Sequence, residues 1–401
     1  MHVLVSGASV AGPVLAYWLA KAGYTPLVVE RAARPRVGTG GHAVDLFAPG
    51  MAVAERMGIA DAVREKATQS TRLRLERPGK STVEVDHSML LEDAGTARHV
   101  EIMRGDLAEI LHEATRSTVE YAFGDSIASL DADDDGVDVT FDSGRTGRFG
   151  LVIGADGLHS NVRRLAFGAE NRFLRYLGGY LAVFTVPNYR DLSDEVVLFN
   201  APGRLVAMYR VPNTDEARVL MLFRRRTELR YDREDLAAQK RVLCQEFADV
   251  GWEVPRLLDA LADTDDFYLD SISQIRLNSW SRGRVALVGD AGFSPGPAVG
   301  GGTTLAAASA YVLARALADA EGEHRAAFAA YEDQIRDYVL RCRAVAPKLL
   351  RSGIPQSRAQ VWANAAGMRL LPWLPAAIRR RLGAAPGATK ALSTFELPPP
   401  R

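Results

Sequence analysis

Cysteine is almost absent: the chain has only Cys244 and Cys342, far apart and in no metal-binding or redox spacing. A disulfide framework is therefore not expected, and the sequence reads as that of a cytoplasmic, reduced protein. No charge of one sign is in excess, since 49 Lys and Arg stand against 49 Asp and Glu. That balance argues against a nucleic-acid partner, which normally meets a basic face or stripe. No uninterrupted apolar stretch reaches bilayer length, so no membrane span is expected. A basic, small-residue leader before the apolar run at His2 is also missing, so secretion is not expected. There is no internal repeat.

What the sequence does contain is an ordinary folded composition, 47% hydrophobic and 24% charged over 401 residues, long enough for two lobes. The run from His2 to Ser6 predicts a buried parallel strand that meets Gly7. Val10 to Ala22 has helical spacing and stops at Gly23, and Pro26–Glu30 predicts a second buried strand. Helices are expected over 51–66, 106–116, 233–262, 303–320 and 326–350, with strand pattern over 71–87. Between 174 and 227 short alternating runs separated by Pro, Asn and Gly predict an antiparallel sheet of its own. Leu151–Gly154 and Val285–Val288 return to the buried parallel-strand pattern. The expected fold is α/β, a Rossmann-like lobe split along the chain with an inserted antiparallel sheet and C-terminal helices.

Three motifs carry chemistry. In the first, Gly7-Ala8-Ser9-Val10-Ala11-Gly12 joins strand to helix. Gly7 permits the tight turn and Gly12 permits close helix–strand packing, so that amides at the helix start face a pyrophosphate. Ser9 stands where the dinucleotide pattern has its middle glycine. Glu30 ends the next strand, where an acid can hold ribose hydroxyls. The second motif is Gly154-Ala155-Asp156-Gly157-Leu158-His159-Ser160-Asn161-Val162-Arg163. The third runs from Gly283 through Asp290 to Gly300-Gly301-Gly302-Thr303. Asp156 and Asp290 each follow a buried strand at the end where ligands of open α/β sheets collect. Helix capping is the plain alternative for either aspartate alone.

Together these segments resemble the flavoprotein aromatic hydroxylases of the p-hydroxybenzoate hydroxylase type. The first motif and Gly40-Gly41-His42-Ala43-Val44-Asp45-Leu46 look closest to tetracycline-inactivating and antibiotic-tailoring monooxygenases. The resemblance implies a non-covalent FAD held by Gly7, Ser9, Val10, Ala11, Gly12, Glu30, Arg31, Arg104, Asp156, Asp290, Gly300, Gly302 and Thr303. It implies an FAD-binding domain at 1–70, 96–173 and 268–345, a substrate domain at 71–95 and 174–267, and a C-terminal segment at 346–401. It departs at Phe293, where the family usually has histidine, and at Thr304, where it usually has asparagine.

No second nucleotide fingerprint precedes a helix, so the resemblance implies that NAD(P)H docks transiently and reduces the flavin. The resemblance further implies that O2 would then form a flavin hydroperoxide able to hydroxylate an aromatic or polycyclic small molecule. Phe184, Met208 and Phe223 are candidates to line the substrate pocket, with Phe199 and Tyr209 behind them. Strand aromatics are more often core. Arg210 or Arg224-Arg225-Arg226 can be read as an oxyanion holder, though a solvated strand end is the plainer reading. No catalytic acid or base is assigned, and either a monomer or a homodimer is compatible with the sequence.

The helical stretch over 357–382, with Trp373 and Arg379-Arg380-Arg381, is expected to pack on the chain's own body rather than attach stably to a membrane. Three rivals remain. A flavin-dependent halogenase would show a Trp-x-Trp-x-Ile signature, and tryptophans 18, 252, 280, 362 and 373 form no such pair. A reductase or oxidase of the same fold would turn over without inserting oxygen. A non-catalytic FAD module would retain the motifs without activity.

Overall fold

The computed structural model describes residues 1–35, 41–86, 99–297, 300–375 and 386–400. Gly40, residues 87–98 and Arg379–Arg381 lie outside them. The chain opens with β1 (His2–Ser6), α1 (Ala11–Lys21) and β2 (Thr25–Glu30). There follow β3 (Ala43–Leu46), α2 (Ala48–Met57), α3 (Ala60–Glu65) and the hairpin β4 (Arg72–Glu76) to β5 (Val83–Asp86). Next come β6 (Val100–Met103), α4 (Arg104–Thr115), β7 (Glu120–Phe123) and a small sheet of β8 (Ile127–Ala132), β9 (Val137–Phe141) and β10 (Thr146–Phe149). β11 (Leu151–Gly154) and α5 (Asn161–Phe167) lead to β12 (Leu174–Pro187), β13 (Glu195–Ala201), β14 (Arg204–Arg210) and β15 (Glu216–Arg224). The rest is α6 (Leu236–Phe247), α7 (Val254–Asp263), β16 (Phe267–Ile275), β17 (Ser281–Arg282), β18 (Val285–Leu287) and α8 (Asp290–Phe293). The chain then finishes in α9 (Gly302–Asp319), α10 (His324–Gly353), α11 (Arg358–Leu370) and α12 (Pro386–Ser393).

The first lobe is built on a six-stranded sheet in the order β17-β18-β11-β1-β2-β7. All its pairs are parallel except β17 with β18. Val3, Leu4, Val5, Leu151, Val152 and Ile153 are completely buried. Burial on both faces is why these strands read as continuous apolar runs. Helices α1 and α9 pack together on this sheet, and α9's alanine content lets the two backbones approach.

A second, seven-stranded sheet runs β16-β12-β15-β14-β13-β4-β5, antiparallel apart from the β13–β4 pair. β16 pairs with β12 over most of its length. Residues 268–275, expected in the FAD-binding domain, therefore belong to this sheet. Side chains alternate between two environments, as the strand period requires. Tyr180, Phe184, Val206, Met208, Met221 and Phe223 face α6 and α7 and meet Leu243, Phe247, Leu257 and Leu261. Leu181, Val183, Ala207, Tyr209 and Leu220 face the other way, toward the first lobe and α10.

Two expected helices divide. The 51–66 stretch breaks at Gly58, whose left-handed φ of +76° ends α2. The 233–262 stretch breaks before α7, with Trp252 at φ +64°. Phe247 is fully buried and meets Phe223 edge-on at 6.1 Å. Phe247→Ala is expected to cost about 3–5 kcal/mol, read as a lower urea midpoint with α6 lost first in hydrogen exchange.

Candidate active site

The three motif loops meet at the carboxyl ends of β1, β11 and β18, which are neighbours in one sheet. Gly7 sits at φ +108°, and a Cβ there would lie 2.5 Å from the Ala155 carbonyl oxygen. A Cβ on Gly12 would fall 1.8 Å from the Gly7 carbonyl oxygen. Any side chain at either position would push the turn off the strand. Val10 and Ala11 are buried at the start of α1. Glu30 closes the turn from β2: its carboxylate accepts from Ala8 N–H at 2.9 Å and Ala32 N–H at 3.0 Å.

Asp156 Oδ2 accepts from Val162 N–H at 3.0 Å, and its buried Oδ1 has no hydrogen-bond partner among the described residues. Burial raises the pKa of this carboxyl. Asp290 is raised too, by burial, with Arg104 acting in the opposite sense. Its Oδ1 lies 3.7 Å from where a Cβ on Gly302 would be, which brings the aspartate to the start of α9. A Cβ on Gly300 would come 2.8 Å from Asp45 Oδ2. Thr303 lies in the first turn of α9.

The departure at Ser9 has a use. Its hydroxyl oxygen accepts from Arg104 Nε at 3.2 Å and Nη2 at 3.1 Å, which ties the start of α4 to the first turn. Thr304 is fully buried; its hydroxyl donates to the Asp45 carbonyl at 3.0 Å and accepts from Phe47 N–H at 2.8 Å. It therefore pins β3 to α9. Phe293 packs against Trp280, with ring centroids 4.5 Å apart, so this departure is a packing residue. His42 is held neutral, with a pKa lowered to about 4 by burial and then by Arg104.

Ala43 and Met103, on β3 and β6, meet the inserted sheet at Tyr209, Val196, Ala207 and Leu220. The Tyr209 hydroxyl accepts from Ala43 N–H at 2.7 Å. The expected pocket residues Phe184, Met208 and Phe223 are not brought to this face. All three are fully buried against α6 and α7, because strand alternation points them to the opposite side. Phe199 shares that side and stacks on Trp252 at 5.0 Å. Of the five candidates only Tyr209 faces the first lobe.

The expected oxyanion holders also lie elsewhere. Arg210 is exposed, Arg225 pairs with Glu246, and Arg224 donates to the carbonyls of Gly178 and Leu350. Arg218, overlooked in the sequence, is fully buried between inward-facing neighbours Ala217 and Val219. Its Nη1 donates to Thr185 Oγ1 at 2.6 Å and pairs with Asp266. Its charge reaches His42.

The second motif also supplies a charged junction between the lobes. His159 Nε2 lies 2.6 Å from Asp270 Oδ2, and its Nδ1 lies 3.1 Å from Glu170. Buried Arg163 donates to Glu170 Oε2 at 2.8 Å, and Arg233 to Glu170 Oε1 at 3.1 Å. Tyr268 donates to Asp270 Oδ2 at 2.9 Å. Burial works against charge on His159, but its bonds to Asp270 and Glu170 win and raise its pKa. Burial also opposes charge on Glu170, yet His159 and Arg233 hold it down at about 2. A depressed carboxyl contributes stability above its unfolded value that disappears as pH falls through the folded one. Glu170→Gln should therefore lower Tm most near neutral pH. Its deficit against the parent should shrink as pH falls from about 4.5 toward 2, followed by thermal unfolding at stepped pH.

A dinucleotide fits these residues. The glycine turn leaves a cradle that a Cβ would fill, Asp156 offers an unpartnered buried oxygen, and α9 opens on glycines. Comparison with known proteins agrees. Residues 1–352 match the family described as FAD binding domain. A flavin-dependent monooxygenase of Legionella longbeachae is 40% identical over 342 residues, 84% of this chain and 86% of that protein. An uncharacterized protein of Mycobacterium tuberculosis is 41% identical over 361 residues, 88% of this chain and 94% of its own length. The crystal structure of tetracycline destructase Tet(55) superposes with a TM-score of 0.84 at 35% identity, covering 99% of this chain and 98% of that one. The chain belongs to the FAD-binding-domain family and is an FAD-dependent monooxygenase.

Proposed function

We propose that the protein uses NAD(P)H and O2 to hydroxylate an aromatic or polycyclic small molecule at the junction of its two lobes. The observation that carries this reading is the apolar sheet face of Ala207, Leu220 and Tyr209 that meets Ala43 and Met103, next in sequence to His42 and to the Arg104 that Ser9 holds. A flat apolar substrate can lie on such a face while a few polar groups fix its orientation. The structural relative named for tetracycline supports a polycyclic ligand. FAD, when bound, supplies activation of dioxygen and transfer of one oxygen atom.

The chain's own residues would do the rest. The first motif and Glu30 would hold the nucleotide half, Asp156 and Asp290 would accept hydrogen bonds from hydroxyls, and the amides at the start of α9 would favour negative charge beside Gly302 and Thr303. His42, uncharged at neutral pH, can exchange one hydrogen bond without adding to the positive field of Arg104. Buried Arg218 is placed to complement an anionic oxygen on the substrate side.

A surface cavity of about 520 Å³ has Arg31, Arg164 and Arg233 in its lining, together with Asp142 and Glu170, the latter paired with Arg233. Its cations suit the phosphates of a transient pyridine nucleotide, and Arg31 lines this cavity.

Arg104→Ala removes the guanidinium that Ser9 holds in place. FAD affinity is expected to fall about 10-fold to 100-fold, from hydrogen bonds worth roughly 1.5–3 kcal/mol at a charged group. Flavin absorbance after gel filtration reads it. The function itself is tested with ¹⁸O₂ and NAD(P)H across aromatic and polycyclic compounds. One labelled oxygen in a product, with substrate-stimulated NAD(P)H oxidation, is expected. NAD(P)H consumption that yields peroxide alone for every compound would overturn the hydroxylase reading.

A further inference from the structure

Among the described residues, the exposed large hydrophobic side chains are Met1, Tyr268, Leu340, Trp362, Leu370 and Trp373. Three of these six fall within α11 and the turn that continues it. Trp362 is 63% exposed, Leu370 59% and Trp373 85%. Trp362 and Leu370 are eight residues apart on α11, Trp373 follows in the 3-10 turn at 371–373, and Arg358 lies four residues before Trp362. All four are exposed. The element is seated beside them: Ala365 and Leu371 are buried against Leu75, Val83 and Val85 of β4 and β5, with Met368 next to them. Arg369 Nη2 also donates to the Ser81 carbonyl at 3.1 Å. The helix is thus fixed in orientation, and it turns two tryptophans and a leucine to water at a cost the fold does not recover.

Charge identifies what covers them. From Tyr338 to Phe395 the sequence has ten Lys and Arg and no Asp or Glu, in a chain whose formal net charge is zero. Lys348, Arg351 and Arg358 are exposed along the approach to this face. A second copy of the chain would bring like charges together there. An anionic lipid surface complements both features, since indole rings settle at the headgroup level while arginines meet phosphates. No helix among the described residues is long and apolar enough to cross a membrane, so the element would lie on a bilayer, not span it.

We infer that α11 with Trp373 is a reversible docking face for an anionic bilayer surface. It places the substrate sheet, on whose β4–β5 edge the helix sits, beside a reservoir of apolar compounds. This extends the expectation of no stable membrane attachment: binding is peripheral and released by salt. It does not depend on the reaction proposed above, and its test reads binding alone.

The test uses the full-length protein with vesicles of phosphatidylcholine, with and without phosphatidylglycerol. Sedimentation with the phosphatidylglycerol vesicles at low salt is expected, with a blue shift of tryptophan emission. Release is expected at about 1 M salt, where the screening length falls to roughly 3 Å. W362S/W373S and, separately, R351E/R358E should each weaken partitioning at least about tenfold, with unfolding temperature and FAD content unchanged. The charge-reversal pair keeps the test decisive if the tryptophan pair misfolds. Binding no stronger with phosphatidylglycerol than without overturns the inference. So does equal binding by R351E/R358E, or a dimer in solution that W362S/W373S dissociates.

Discussion

The arrangement depends on one steric constraint: the first turn lies so close to the loop after β11 that Gly7 has no room for a Cβ, and it folds so tightly on itself that Gly12 has none either. That approach brings the ends of β1 and β11 together, and with them the amides of α1 and the carboxyl of Asp156. Arg104 then reaches the same turn through Ser9. Thr304 fastens β3 across to α9 through two backbone groups. The loops are held by each other before any ligand arrives, which is the preorganisation a bound dinucleotide requires.

The second lobe has a different logic. Its sheet is apolar on both faces, one committed to α6 and α7 and the other shared between the first lobe, α10 and α11. The proposed substrate would lie against the shared face. Its fixed polar groups include the Tyr209 hydroxyl bound to Ala43, Arg218 bound to Thr185 and Asp266, and Arg224 bound to the Gly178 and Leu350 carbonyls. Buried and hydrogen-bonded groups of this kind set orientation in an otherwise apolar site.

Much of the first lobe was legible in the sequence because its signals are local. A glycine turn between a buried strand and a helix, or an aspartate after such a strand, specifies its own geometry. The inserted sheet was legible as a sheet, but its facing was not. Alternation tells that Met208 and Tyr209 point apart, and says nothing of which points to the first lobe. The larger and more apolar side chains fill the side covered by α6 and α7. Arg218 was hidden because its partner Asp266 is 48 residues away, and the His159–Asp270 pair is separated by 111. The Ser9 departure looked like a weakened motif, yet only the fold shows that it receives Arg104.

The central claim is that three separate loops form one FAD site. Titration of flavin-free, folded protein with FAD, followed by quenching of flavin fluorescence, tests it directly. Saturation at one FAD per chain is expected, with a matching rise in unfolding temperature. A folded protein that leaves FAD fluorescence and its own stability unchanged would contradict it.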